Sequence, residues 1–156
     1  MKNKKIYPDV VAALLVLLFS YTAASKFLDY DSFVFQMRLA PLPLMRATAP
    51  VLGWLTPLIE SVLVAGLMTG RWRLASLAAS VALLTIFELY IGGMLLSGKA
   101  LPCTCGGIIS TMKWDQHLVF NAFFILLGLS AIFVSKKIRN GALSADPDHH
   151  KDFMRA

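Results

Sequence analysis

Long apolar runs alternate with short polar breaks along the whole chain. Each run approaches the roughly 20 residues that an α-helix needs to cross the hydrocarbon core of a bilayer. The runs occupy residues 10–27, 51–69, 74–96 and 117–134. This pattern predicts an all-α polytopic membrane protein, a bundle of four transmembrane helices. The first run follows a basic lead and ends in small residues, as a cleavable signal peptide also does, but we interpret it as the first transmembrane helix.

The break between the first two runs differs from the others. Residues 29–50 mix apolar side chains with Arg38 and Arg46, and they contain three prolines, Pro41, Pro43 and Pro50. Proline in the interior of a helix removes a backbone hydrogen bond. We therefore expect no long helix here, but a short amphipathic segment at the membrane interface, with both arginines directed toward lipid headgroups.

Composition supports a membrane protein without a separate soluble domain. The chain of 156 residues is 57% hydrophobic and 15% charged, whereas soluble domains are nearer a quarter charged. The net charge of +6 does not indicate a nucleic-acid partner, because the basic residues stand at the ends of the apolar runs. We expect one domain over residues 1–139, in contact with the lipid bilayer, and a disordered polar tail over residues 140–156.

The basic residues also predict an orientation. With the N-terminus inside, the inner side collects Lys2, Lys4, Lys5, Arg71, Arg73, Lys136, Lys137 and Arg139. The outer side then has Lys26, Arg38, Arg46, Lys99 and Lys113. This bias places both termini in the cytoplasm of a bacterium and the polar break after the third run in the periplasm.

That break contains both cysteines of the chain, Cys103 and Cys105, followed by Gly106 and Gly107. A disulfide needs Cα atoms about 4.4–6.8 Å apart, which neighbours at this spacing reach when the backbone bends. So small a ring is strained and readily reduced, which favours thiol-disulfide exchange in the oxidising periplasm. Two alternatives remain: a local structural role, and Cu(I) binding with Met94, Met112 or His117.

Three polar residues within or beside the apolar runs are further candidates. Glu60 and Glu88 lie inside the second and third runs, where an ionisable residue indicates function by default. For Glu88 we weigh a proton relay or contact with a quinone headgroup against a hydrogen bond between helices, and for Glu60 we favour the hydrogen bond. His117 opens the fourth run, with Asn121 one turn later on the same face, and is a base for the thiols or an interfacial residue. Quinone is the one cofactor that we consider.

The order of these features resembles the MauE/DoxX-like membrane proteins. The residues that carry the resemblance are Ser25-Lys26-Phe27, Pro57-Leu58-Ile59-Glu60, Gly66-Leu67, the segment from Pro102 to Gly107, Trp114 and His117. The resemblance implies a four-helix inner-membrane protein associated with redox maturation. MauE itself is an accessory factor for methylamine dehydrogenase, thought to act with a thioredoxin-like partner. Only Cys103 and Cys105 are carried over from the family as site residues.

These observations predict an inner-membrane protein that exchanges disulfides through an outward-facing Cys-x-Cys pair and so supports maturation of periplasmic partners. The catalytic candidates are Cys103 and Cys105, with His117 and Glu88 as assisting residues. One alternative is a structural or accessory subunit of a larger envelope complex without enzymatic activity. A Cu(I)-handling protein is the other.

Overall fold

The computed structural model describes residues 2–39, 43–96 and 114–144. Five α-helices account for most of these residues: α1 (Lys2–Leu28), α2 (Tyr30–Leu39), α3 (Pro43–Met68), α4 (Arg73–Leu96) and α5 (Trp114–Ser144). No strand occurs in these three stretches. The prediction of an all-α fold is confirmed.

Four of the helices are long and apolar enough to cross a membrane. The spans are Ile6–Leu28, Pro43–Met68, Arg73–Gly93 and Gln116–Asn140, and each contains an 18-residue stretch with a mean hydropathy of 1.8 or more. Each contains at least the roughly 20 residues that a bilayer requires. The protein is therefore a multi-pass membrane protein, and the four predicted apolar runs each lie on one of these helices.

The second span begins earlier than predicted, because Pro50 does not end a helix. Pro50 and Pro57 both lie inside α3, while Pro43 opens it, at a position where the missing N–H costs nothing. Tertiary contacts hold the Pro50 turn in helical form: Ala49 is fully buried, and the Tyr30 hydroxyl donates a hydrogen bond of 3.1 Å to the Pro50 carbonyl. The expectation that Pro50 interrupts the helix is wrong because it ignores this packing.

The predicted interfacial segment contains α2, which packs against the beginning of α3. The junction with α1 keeps a helical pattern, since Asp29 N–H bonds the Ser25 carbonyl and Phe33 N–H bonds the Asp29 carbonyl. A Cβ atom on Gly53 would lie 2.6 Å from Val34 and 2.9 Å from Tyr30. Only glycine permits this approach, so Gly53 allows α2 to lie close to α3.

The four long helices form a closed ring, in which α1 packs on α3 and α5, and α4 packs on the same two helices. Its core contains Leu15 and Phe19 of α1, Leu67 of α3, Leu77 of α4 and Ala131 of α5. The first helix thus belongs to the bundle along its length, as expected of a transmembrane helix.

Successive crossings fix which connections share a side. The side on which α1 ends carries α2, the start of α3 and the connection from α4 to α5; we call it the α2 side. The opposite side, the turn side, carries the short turn between α3 and α4. There Arg73 pairs with Asp9 of α1, and Tyr7 hydrogen-bonds Ser130 of α5 at 2.6 Å.

Helix α5 continues past the apolar run and ends at Ser144. It therefore includes the first residues of the segment that the sequence assigns to a polar tail. Residues 145–156 lie outside the described part of the chain.

Two glycines mark the closest approaches between long helices. A Cβ on Gly66 would overlap Ser76 of α4, and one on Gly128 would lie 2.5 Å from Val81 Cγ2. Small residues at helix contacts are the usual means of close packing in a bilayer. Gly66 and Gly128 are therefore points of close contact between helices. A Cβ on Gly70 or Gly93, in contrast, would meet no described atom within 4 Å.

Substitution of Gly128 by Ala is expected to destabilise the bundle by about 1–3 kcal/mol through overpacking against Val81. The matched control is Gly93→Ala, which should leave stability unchanged or raise it, because alanine is the better helix former. Unfolding of the purified variants by SDS in mixed micelles measures both. Adding Val81→Ala should restore the stability of the Gly128→Ala variant. Equal stability of Gly128→Ala and Gly93→Ala would contradict the close approach of Gly128 to Val81.

Candidate functional site

The two cysteines fall outside the described residues. Cys103 and Cys105 belong to residues 97–113, which connect the end of α4 at Leu96 to the start of α5 at Trp114. Leu96 and Trp114, the two described residues that flank this segment, lie on the α2 side of the bundle. What the structure adds is the set of polar side chains in the helices on that side.

A buried ion pair between α1 and α3 is the strongest polar contact in the described bundle. Lys26 Nζ lies 2.6 Å from Glu60 Oε1, and the two side chains are 11% and 2% exposed. Salt bridges on a protein surface contribute little, but a buried charge without its partner is costly. Glu60 therefore links two helices, as expected, but it does so through an ion pair with a lysine and not as the protonated, hydrogen-bonded glutamate that the sequence favoured.

The surroundings of the pair come from α1 and α2. The Thr22 hydroxyl, one turn before Lys26, donates a hydrogen bond of 3.3 Å to the Phe19 carbonyl and lies close to the Glu60 carboxylate. Lys26 Nζ also lies 5.8 Å from the centre of the Phe33 ring, within the range of a cation–π interaction. The ammonium group is thus enclosed by a carboxylate and an aromatic face at the junction of α1 with α2.

A second polar link joins α4 to α5. Asn121 is buried and its side chain hydrogen-bonds the Glu88 carboxylate. His117, one turn earlier, is also buried. It lies close enough to Lys26 for the ammonium charge to act on the imidazole. The predicted shared face of His117 and Asn121 is confirmed, and it points into the bundle.

Together Lys26, Glu60, Glu88, His117 and Asn121 form what we call the polar cluster, to which all four long helices contribute. Glu88, one of the predicted assisting residues, is half-buried rather than directed into lipid. Its Oε2 atom and Glu60 Oε2 are buried without a hydrogen-bond partner among the described residues. Both oxygens can accept a further hydrogen bond.

Ser76, Ser80, Glu88 and Gly92 recur at four- or eight-residue spacing on one face of α4, and that face is only partly enclosed. Ser76 and Ser80 are buried, Glu88 is half-buried, and a Cβ on Gly92 would meet no described atom within 4 Å. The face therefore packs tightly in the turn-side half of α4 and loosens toward Glu88.

The described residues contain no group of three or more His, Cys, Asp or Glu side chains that would hold a metal ion. The Cu(I) hypothesis depends on Cys103 and Cys105 and is not tested by this observation. The polar cluster contains one imidazole and two carboxylates, of which Glu60 pairs with Lys26 and Glu88 with Asn121.

Sequence reasoning found the carboxylates and missed the cation that pairs with one of them. Lys26 counts as an outer basic residue by its position at the end of the first apolar run. Glu60 was the sequence feature that could have predicted this lysine, because a carboxylate in a transmembrane helix requires a partner. The end of the preceding helix is a natural place to look for one.

We expect Lys26→Met and Glu60→Leu each to destabilise the protein by about 3–5 kcal/mol, because each leaves an uncompensated buried charge. The double variant should be much more stable than the sum of the two effects predicts, since no charge remains. A double-mutant cycle of SDS unfolding measures this coupling.

The control is the half-exposed pair of Asp9 and Arg73, whose side chains are 57% and 35% exposed. Asp9→Asn should change stability by no more than about 1 kcal/mol. Additive effects at Lys26 and Glu60 would show that the buried pair does not act as a unit.

Comparison with known proteins assigns the chain to one family. Residues 4–134 match the family described as "Methylamine utilisation protein MauE". Neither a curated protein nor a solved structure matches the chain significantly. The matched region includes all four spans up to residue 134, both cysteines and the whole polar cluster. The chain therefore belongs to the MauE family of membrane proteins.

Proposed function

We propose that this MauE-family protein is a thiol-disulfide exchange factor of the bacterial inner membrane, with Cys103 and Cys105 as its reacting pair. The observation that carries the proposal is the position of the polar cluster. Its members gather in the helices on the side where Leu96 and Trp114 flank the cysteine segment. His117 stands in the first turn of α5, which begins at Trp114, directly after the cysteine segment.

The orientation of the protein is part of the proposal. The excess of basic residues on the turn side favours a cytoplasmic location for that side. The α2 side then faces the periplasm, where a disulfide persists. A periplasmic protein, such as a thioredoxin-like carrier, would meet the cysteines there without crossing the membrane.

The exchange proceeds in two displacements. A thiolate of the partner attacks one sulfur of the Cys103–Cys105 disulfide, which forms a mixed disulfide and releases the other cysteine as a thiolate. The second thiolate of the partner then attacks the mixed disulfide. The partner leaves with a disulfide, and Cys103 and Cys105 hold two electrons and, after protonation, two protons.

A membrane quinone is the proposed acceptor for the return to the disulfide. Oxidation of the dithiol releases two electrons and two protons, which convert one quinone to one quinol. The chain has two cysteines in total, so no second pair relays the electrons. The cysteine pair must then meet the acceptor directly.

His117 is proposed to exchange protons with the thiols. The attacking thiols in both displacements belong to the partner, so a base beside the Cys103–Cys105 pair raises the fraction of those thiols that is ionised. His117 is the imidazole of the polar cluster, and an imidazole changes charge near neutral pH. Lys26 and Glu60 are assigned a structural role, because their charges are already satisfied by each other.

The rival proposal is an accessory subunit without chemistry of its own, and the cysteines decide between the two. In intact cells, a membrane-impermeant maleimide is expected to label Cys103 and Cys105 only after reduction, as for an outward-facing disulfide. Cys105→Ser should abolish disulfide formation in the client, since a single cysteine cannot regenerate a disulfide within the pair. The control is Ser130→Ala, which removes a hydroxyl on the turn side, away from the cysteine segment.

If the Cys105→Ser variant still forms the client's disulfides fully, the exchange proposal is wrong. A stable complex with envelope proteins that survives loss of both cysteines would support the accessory subunit instead. Labelling without prior reduction would indicate free thiols and direct attention to Cu(I).

His117→Gln is expected to slow exchange with a dithiol partner by about 10²-fold or more, the usual contribution of a positioned acid or base. The loss should shrink as pH rises, because free thiols ionise on their own near pH 8.5. Stopped-flow measurement of the purified protein against a reduced thioredoxin-like protein gives the rate at each pH. Asn121→Leu serves as the control for disturbance of α5, and a pH-independent loss in both variants would assign His117 to packing alone.

A further inference from the structure

An open groove runs between α3 and α4 on the outer surface of the bundle, away from the polar cluster. It has a volume of about 420 Å³, within the range of small-molecule sites. Its lining is almost entirely apolar, and small residues form its floor: Ala65, Gly66, Ala75, Ser76 and Ala79. Val62, Leu63, Thr69 and Trp72 complete it.

The position of the groove relates it to one leaflet of the bilayer. Its residues belong to the last two turns of α3, the turn that follows and the first two turns of α4. It therefore starts at the membrane interface and runs roughly 10 Å into the hydrocarbon region, at about 1.5 Å per residue. Trp72, which is 61% exposed, stands at the interfacial end, where tryptophan is commonly found.

The interfacial end is also positively charged. Arg71 precedes Trp72 in the turn, is exposed, and forms no ion pair with any residue that the structure describes. Its neighbour Arg73 is engaged by Asp9 and by the Leu67 carbonyl. The N-terminus of α4, which begins at Arg73, adds the partial positive charge of its backbone dipoles.

We propose that this groove is a binding site for an anionic phospholipid, with one acyl chain in the groove and the headgroup phosphate at Arg71. The apolar lining suits an acyl chain, and basic residues beside grooves between transmembrane helices suit acidic headgroups. A zwitterionic lipid would also bring a phosphate to Arg71, but the positive group of its headgroup offsets that attraction, so an anionic headgroup is favoured. The proposal is independent of the thiol chemistry on the opposite side.

A transmembrane helix of a partner is the competing occupant of such a groove. Packing between helices in a bilayer also uses small residues. The exposed Arg71, next to Trp72 at the interfacial end of the groove, favours the lipid. No acidic side chain lines the groove to pair with this arginine, so a second copy of the groove surface would not neutralise it. The experiment must separate the two occupants.

Tryptophan fluorescence provides the test. In a Trp54→Phe/Trp114→Phe variant, Trp72 is the only tryptophan left. The protein is reconstituted in phosphatidylcholine vesicles that contain lipids spin-labelled near the glycerol end of an acyl chain, either phosphatidylglycerol or phosphatidylcholine. We expect the labelled phosphatidylglycerol to bind at Trp72 with about fivefold preference, the effect of one basic residue near an anionic headgroup.

Matched variants assign the preference to charge and groove. Arg71→Gln should remove the preference, whereas Arg139→Gln, an exposed arginine at the turn-side end of α5, should leave it. Ala79→Leu fills the groove and should reduce quenching by both lipids. Ala78→Leu, exposed but outside the groove, should not.

Native mass spectrometry of the chain with all its tryptophans supplies a second measurement if the tryptophan variants fold poorly. Phosphatidylglycerol should remain bound to the wild type and be lost from Ala79→Leu. Equal quenching by the two lipids, or no effect of Ala79→Leu, would overturn the proposal. Absence of quenching together with a dimer that Ala79→Leu dissociates would assign the groove to a helix of a second copy instead.

Discussion

The ion pair of Lys26 and Glu60 holds the α2 side of the bundle together. A lysine and a glutamate deep in a membrane protein each cost several kcal/mol when alone, on the order of 2.5–3.5 kcal/mol by insertion scales. At 2.6 Å and almost fully enclosed, they are tolerated only as a pair. The pair fixes α1 to α3 at the place where α1 passes into α2, so the packing of Tyr30 and Val34 on α3 follows from it.

The two sides of the bundle are stabilised in different ways. On the turn side, a half-exposed ion pair and the close contact of Gly66 with Ser76 fasten helices that are joined by a short turn. On the α2 side, polar groups from all four long helices add to the close packing of α2 on Gly53. Oxygens of Glu60 and Glu88 remain buried there without described partners. Buried polar groups without a hydrogen-bond partner are costly. Chemistry is proposed on this side because His117 and Glu88 lie on the two helices that flank the cysteine segment, and lipid binding is proposed on the other side.

Several features of the site follow from local sequence, and others do not. The common face of His117 and Asn121 was predictable because residues four apart lie above one another on a helix. The Glu88–Asn121 hydrogen bond and the Lys26–Glu60 pair were not, because each joins two helices whose mutual rotation the sequence pattern leaves open. The helical state of Pro50 was missed for a related reason. Local propensity opposes it, and contacts from Tyr30 and the burial of Ala49 override that propensity.

By itself, the sequence determined the class of the protein, the four spans and the residues capable of chemistry, since all of these depend on hydropathy and side-chain type. The role of Cys103 and Cys105 remains a prediction from that level. The tertiary structure decided which apolar residues face the core and which polar residues meet. In α1, Leu15 is fully buried while Leu17 is 68% exposed, although both are leucines in one apolar run. Lipid is as apolar as the core, so hydropathy cannot distinguish the two environments. Only the packing of the helices against each other does.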